Sequence, residues 1–319
     1  MSAAAATLTS TRATRPAAPP LGRHRRNPPL RRVKRLALAL AVLGVAVFGV
    51  RAFTSSAPPD WRLVWHDEFD GQWGQPFDPA SWHADLGRGL PGGPVGWGNN
   101  EAETYTADPA NVEKDGAGNL RLTATKGGDG QWHSARLETV RSDFAPPRDG
   151  SMKVEAQITL PGGGMGYWPA FWMLGAQYRD HPESWPIPGE IDVMENVDSN
   201  SQIHGTLHCD TRPDAPCHSK QGIGHTFELP APAGLAGSHL YTLIWDTHPK
   251  RLRWQVDGQT YGEITPAVIG SKAWDATFSH GYFLLLNLAV GGDWPGQPNQ
   301  LTIPGASMSV DYVRVWTAL

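Results

Sequence analysis

Glu190, Asp192 and Glu195 lie within one six-residue run, in the stretch Trp185-Pro-Ile-Pro-Gly-Glu190-Ile-Asp192-Val-Met-Glu195-Asn196. Acidic residues are depleted in strand interiors and like charges repel, so this cluster among apolar residues asks for a chemical reason. Side chains alternate along a strand, which puts Glu190 and Asp192 on one face and Glu195 on the other. A β-bulge at Val193-Met194 would absorb one residue and return Glu195 to the side of the first two. Two carboxylates facing one cleft suit cleavage of a glycosidic bond, one as acid and the other as nucleophile or base. Drawn from a single bulged strand, they should stand close, near the ~5–5.5 Å of retaining rather than inverting chemistry. Glu190 would then attack the anomeric carbon, and Glu195 would protonate the leaving oxygen and later activate water. Asp192 between them would raise the pKa of the group that must stay protonated. The plainer alternatives are an exposed acidic strand or a calcium site. Calcium loops of the common type carry a glycine turn among their acids, absent here.

The elements around this stretch read as strands. Arg62–Trp65, Glu103–Thr106, Leu120–Thr125, Ser134–Thr139, Ser151–Leu160, Tyr167–Leu174, Gln202–Cys209, Tyr241–Asp246, Leu252–Tyr261 and Val310–Trp316 are short runs rich in alternating, β-branched or aromatic residues. Tyr282–Val290 is nearly all apolar, the pattern of a strand buried on both faces. Asp257-Gly258 between alternating runs signals a hairpin. The glycine-rich turn at 161–166 lacks the strand-to-helix setting of a phosphate loop. No stretch after residue 60 sustains a helical period. With 36 Gly and 28 Pro for turns, the expectation is an all-β, two-sheet jelly-roll sandwich in one domain, 61–319.

Charge divides the chain. The first 59 residues hold 10 of the 27 Lys and Arg and no acid, leaving 17 basic against 31 acidic residues, a formal charge of −14, in the remainder. Such a surface opposes encounter with nucleic acid. A basic Ala/Pro/Arg-rich segment, 1–35, precedes an apolar run, 36–51, and a linker, 52–60. A positive flank before a short apolar stretch is the outline of an export signal, or of an uncleaved N-terminal membrane anchor; either way the main domain is exported. The two cysteines, Cys209 and Cys217, enclose a polar, Pro-containing loop, and an oxidising compartment favours their disulfide. His208 and His218 adjoin them, but the spacing follows no common zinc pattern.

The ordered set Gly98-Asn-Asn-Glu101, Trp168-Pro-Ala-Phe-Trp172-Met-Leu, Trp185-Pro-Ile-Pro-Gly-Glu190-Ile-Asp192-Val-Met-Glu195, Gly205-Thr-Leu-His208, Leu286-Asn-Leu-Ala-Val-Gly-Gly292 and Asp311-Tyr-Val-Arg-Val resembles the family 16 glycoside hydrolases, specifically the laminarinase-like endo-β-1,3-glucanases. The resemblance spans roughly residues 61–317. Lichenases and xyloglucan-active relatives carry one residue fewer between the acids. The resemblance implies a concanavalin-like jelly roll with a substrate cleft on its concave sheet. It also implies Glu190 as nucleophile, Glu195 as acid/base and Asp192 as assisting carboxylate. Trp168, Trp172 and Trp185 would line the cleft and stack on sugar rings, or each could instead be core. Asn99, Glu101, Arg136 and His208 match positions near the cleft that could bind sugar hydroxyls. A structural calcium of the convex face would fall at Glu68, the Gly118 carbonyl and Asp311; catalysis itself calls for no cofactor. The expected partner is a β-glucan such as laminarin, and the expected state a monomer. Mixed-linked β-glucan or galactan, transglycosylation, and a non-catalytic glucan-binding module are the alternatives. The last is disfavoured because all three acids are present.

Overall fold

The computed structural model describes residues 59–319, apart from 163, 211, 213, 214 and 231–236. The basic segment, the apolar run and the linker as far as residue 58 lie outside the described residues, and with them the export signal or anchor. Among the described residues no helix is long and apolar enough to cross a membrane.

Two antiparallel sheets face each other across one core. The seven-stranded sheet runs Ile223–Glu228, Gln202–His208, Glu190–Glu195, Tyr167–Gly175, Tyr282–Val290, Arg136–Thr139, Trp82–Ala84. The eight-stranded sheet runs Gln259–Ile264, Lys250–Val256, Ser238–Thr247, Ser151–Thr159, Ser307–Ala318, Leu120–Thr123, Val112–Lys114, with Arg62–Asp67 also paired to Ser307–Ala318. Period-two alternation decides which side chains enter the core. Tyr167, Phe171 and Met173 are fully buried there, while Trp168 and Trp172 stand half-buried on the opposite face. Tyr282–Val290 is buried along its whole length, as its apolar sequence requires.

The register contains the bulge. Asp192 faces Thr206 and Glu195 faces His204, so three steps on the carboxylate strand match two on its neighbour. On the other side Trp172 faces Asp192 and Phe171 faces Met194, which makes Val193 the extra residue. Val193 and Met194 both turn into the core with Ile191, leaving Glu190, Asp192 and Glu195 on the outer face. The Asp192 carbonyl accepts a 2.8 Å hydrogen bond from the buried Trp254 indole of the opposing sheet. Gly205 makes room for that ring, which a Cβ would strike.

Asp257 and Gly258 have φ of 50° and 79°, as a tight turn with two left-handed residues needs, and they join Lys250–Val256 to Gln259–Ile264. Two expected strands are divided. At Ala124 the pairing turns irregular, its N–H donating to the Ala306 carbonyl and its carbonyl accepting from the Gly305 N–H; Leu120–Thr123 stays in the large sheet and Thr125–Lys126 joins a small third sheet. Ser134 ends Trp132–Ser134 of that small sheet, and Arg136–Thr139 begins after Ala135. Pro266–Ile269 and Ser271–Thr277 are helices too short for a periodic signal. Cys209 and Cys217 form the expected disulfide.

Ile191 is fully buried behind the acids. Ile191→Ala is expected to cost about 2–5 kcal/mol of stability, read from the urea unfolding midpoint.

Candidate active site

The outer face of the seven-stranded sheet floors a cleft, a cavity of about 400 Å³ lined by Glu190, Asp192 and Glu195. Each acid has a separate partner. The Trp185 indole N–H donates to Glu190 Oε2 at 3.1 Å, and that of Trp168 to Glu195 Oε1 at 2.8 Å. His208 Nε2 stands 3.3 Å from Asp192 Oδ2 and 3.8 Å from Glu190 Oε1. Its Nδ1 faces the Ser219 carbonyl at 3.1 Å. Oxygen atoms facing both ring nitrogens favour the doubly protonated imidazolium form of His208.

Electrostatics agree with that geometry. Burial works to lower the His208 pKa, but the hydrogen bond with Asp192 and the charges of Glu190 and Asp192 prevail and raise it to about 10. Burial first, and then the charge of Asp192, lifts Glu190 to about 7. The same two causes push Glu195 well above the ordinary carboxylate range, against the opposing pull of the Trp168 donor. Both glutamates are thus displaced upward by burial and by the charge of Asp192. Glu190, Asp192 and His208 present ligand atoms within 4.8 Å of one another, a span that suits a cation. A histidine in its imidazolium form has no lone pair to offer one.

Trp168, Trp172, Trp185, Asn99, Glu101, Arg136 and His208 all line this cavity. The three tryptophans thus face the cleft, and Trp172 and Trp185 also pack against the buried Leu174, Phe283 and Leu285. Arg136 is nearly buried, bonded to Asp85 at 2.8 Å, with its guanidinium 4.4 Å from the Trp97 ring and 4.7 Å from that of Trp172. Asn99 and Tyr105 donate to the two carboxylate oxygens of Glu101 at 3.3 and 3.0 Å. Beside it Glu103 is fully buried and accepts the Val290 N–H at 2.7 Å. Burial, then the charge of Glu101, drives the Glu103 carboxyl well above its usual range.

Several cleft residues escaped the sequence reading. Asn287 takes the Trp172 indole N–H on Oδ1 at 2.8 Å and donates to the Tyr105 hydroxyl at 3.1 Å. As the one polar residue within Tyr282–Val290 it carried a usable signal. Trp294, half-exposed, meets Trp168 edge-on with centroids 5.5 Å apart. Asp85, Trp97, Tyr178, Lys220 and Asp293 had no local signal, because only the folded loops bring them to the site.

Of the residues expected to hold a structural calcium, Glu68 has both carboxylate oxygens engaged by the Arg314 guanidinium, at 2.9 and 2.7 Å. Among the described residues the one group of three or more His, Cys, Asp or Glu side chains with metal-holding spacing is that of Glu190, Asp192 and His208.

Comparison with known proteins places this geometry. Residues 105–227 match the XgeA-like catalytic domain of glycoside hydrolase family 16. Over 295 residues the chain is 33% identical to the beta-glucanase of Rhodothermus marinus, covering 89% of this chain and 94% of that protein. It is also 32% identical, over 290 residues, to the clotting factor G alpha subunit of Tachypleus tridentatus, of which it spans only 37%. Its fold is similar to the crystal structure of the endo-1,3-beta-glucanase from Streptomyces sioyaensis, with a TM-score of 0.79 and 40% identity over 83% of this chain and 99% of that one. A jelly roll with two glutamates on one bulged strand, a match to the family 16 catalytic domain, and sequence identity along nearly the whole of a beta-glucanase lead to one assignment: the chain belongs to glycoside hydrolase family 16.

Proposed function

We propose that the protein is an exported, retaining endo-β-1,3-glucanase that hydrolyses β-glucans such as laminarin. The observation that carries this is the bulge at Val193, which puts Glu190 and Glu195 on one cleft face while their surroundings set their pKa values apart. Glu190, the more readily ionised of the two, attacks the anomeric carbon. As the new C–O bond forms and the glycosidic C–O bond breaks, Glu195 passes its proton to the leaving oxygen. Water then attacks the glycosyl–Glu190 ester, Glu195 takes back a proton, and two inversions leave the anomeric configuration retained. Asp192, paired with His208, keeps negative charge between the two glutamates and favours a protonated Glu195. Two carboxylates carry these steps, and no cofactor enters them.

The cleft walls suit a sugar chain. Trp168, Trp172 and Trp185 offer aromatic surface for the apolar faces of glucose rings, and Asn99, Glu101 and Arg136 offer polar atoms for hydroxyls. The extra residue between the acids, and the named activity of the Streptomyces sioyaensis relative, favour β-1,3 linkages. The order of basic and apolar residues in 31–51 favours export, and the Cys209–Cys217 disulfide fits an oxidising compartment.

Glu190→Gln is expected to lower kcat on laminarin by at least about 10⁴-fold while oligosaccharide binding persists; unchanged turnover would remove Glu190 from the mechanism. Proton NMR of the first-formed reducing ends should show the β anomer, and an α product would contradict double displacement. Activity requires Glu190 ionised and Glu195 protonated, so kcat/KM rises as pH passes the Glu190 value near 7 and falls where Glu195 loses its proton. Trp168→Phe deletes a donor that favours ionised Glu195 and should move the alkaline limb upward by up to about one pH unit. A limb that stays in place would assign it to another group.

A further inference from the structure

Lys220 stands at the rim of the cleft, in the turn 219–222 that leads into the edge strand Ile223–Glu228. That turn is fastened to the end of the adjoining strand. The Ser219 carbonyl meets His208 Nδ1, and Gly222 lies against Thr206 and Leu207. The Lys220 side chain reaches away from this anchorage. Its Nζ donates to Asp293 Oδ2 at 2.9 Å and to the Gly98 carbonyl at 3.2 Å.

Topology gives these contacts their meaning. Asp293 follows the strand Tyr282–Val290, four places along the sheet from Ile223–Glu228. The strands between are Gln202–His208, Glu190–Glu195 and Tyr167–Gly175, which carry all three acids, His208, Trp168 and Trp172. The lysine therefore joins two segments that flank the carboxylate strand. Its far anchor is itself held: Asn100 Nδ2 donates to Asp293 Oδ1 at 2.6 Å, and the Asp293 N–H donates to the Asn99 carbonyl at 2.7 Å. Lys220, Gly98 and Asp293 line the same cavity as Glu190 and Glu195.

We propose that Lys220 is a specificity-determining residue, a clasp across the cleft that favours unbranched glucan segments and disfavours a glucose carrying a 6-O branch beneath it. This rests on the glucanase reading above and adds the chain architecture that the site accepts. An unbranched segment lies along the floor of the cleft below the lysine. A branch must project upward, and it can enter only when the contact with Asp293 and Gly98 opens. Lys220 and Asp293 remain about half exposed, so the clasp is weak and salt-sensitive, and it biases the choice of substrate without forbidding branched ones.

The test compares kcat/KM on laminarihexaose with kcat/KM on a β-1,3-glucan bearing single 6-O-glucosyl branches. In Lys220→Met and in Asp293→Asn the branched-to-linear ratio should rise by about three- to fivefold over wild type. Raising sodium chloride should move the wild-type ratio the same way and leave that of Lys220→Met in place. Wild type that cleaves laminarihexaose, with ratios equal in all three proteins, overturns the clasp alone. Wild type that does not cleave it overturns the glucanase reading and the clasp with it.

Discussion

Register at Val193 is the constraint on which the rest of the site depends. A strand offers every second residue to a given face, and the order Glu-Ile-Asp-Val-Met-Glu breaks that rhythm between the second and third acids. Folding absorbs the mismatch by sending Val193 and Met194 together into the core, where apolar burial favours both. The opposing sheet contributes through Trp254, whose indole satisfies the Asp192 carbonyl from across the core. Bulge, core and cleft are therefore one construction: neither the packing behind the strand nor the acids in front of it could be shifted by a residue without displacing the other.

Once three carboxylates share a face, their repulsion has to be managed. His208 takes part of that load as an imidazolium wedged between Asp192 and Glu190, and its other nitrogen is committed to the Ser219 carbonyl. What repulsion remains is useful, because it separates the proton affinities of Glu190 and Glu195. A second acidic pair, Glu101 and Glu103, resolves the same conflict differently. Glu103 is fully buried and favours its neutral form, leaving Glu101 at the cleft wall with donors from Asn99 and Tyr105.

The fold was largely legible because its strands alternate cleanly and its buried strand Tyr282–Val290 is a continuous apolar run. The acids were legible for the opposite reason: their spacing violates alternation, and only a bulge reconciles it. Interruptions such as Ala124 were not, since they depend on which neighbour claims an N–H, here Ala306, a residue far along the chain. Residues that act through contacts between loops, such as Lys220, Asp293 and Asp85, leave no periodic trace. Asn287 is the exception, a single amide in an apolar strand.

Tryptophan plays a part at this site beyond offering flat surface to a sugar. Trp185, Trp168 and Trp172 each direct an indole N–H at a working side chain: Glu190, Glu195 and Asn287. An indole can donate but not accept, and it neither gains nor loses a proton in the range where carboxyls titrate. A histidine or tyrosine in the same place could exchange roles with its partner, or compete for the proton in transit. These anchors keep each carboxylate aimed through both halves of the cycle while remaining outside its proton inventory. Orientation and proton traffic are thereby assigned to different residues, and the hydrogen that leaves Glu195 has fewer wrong places to go.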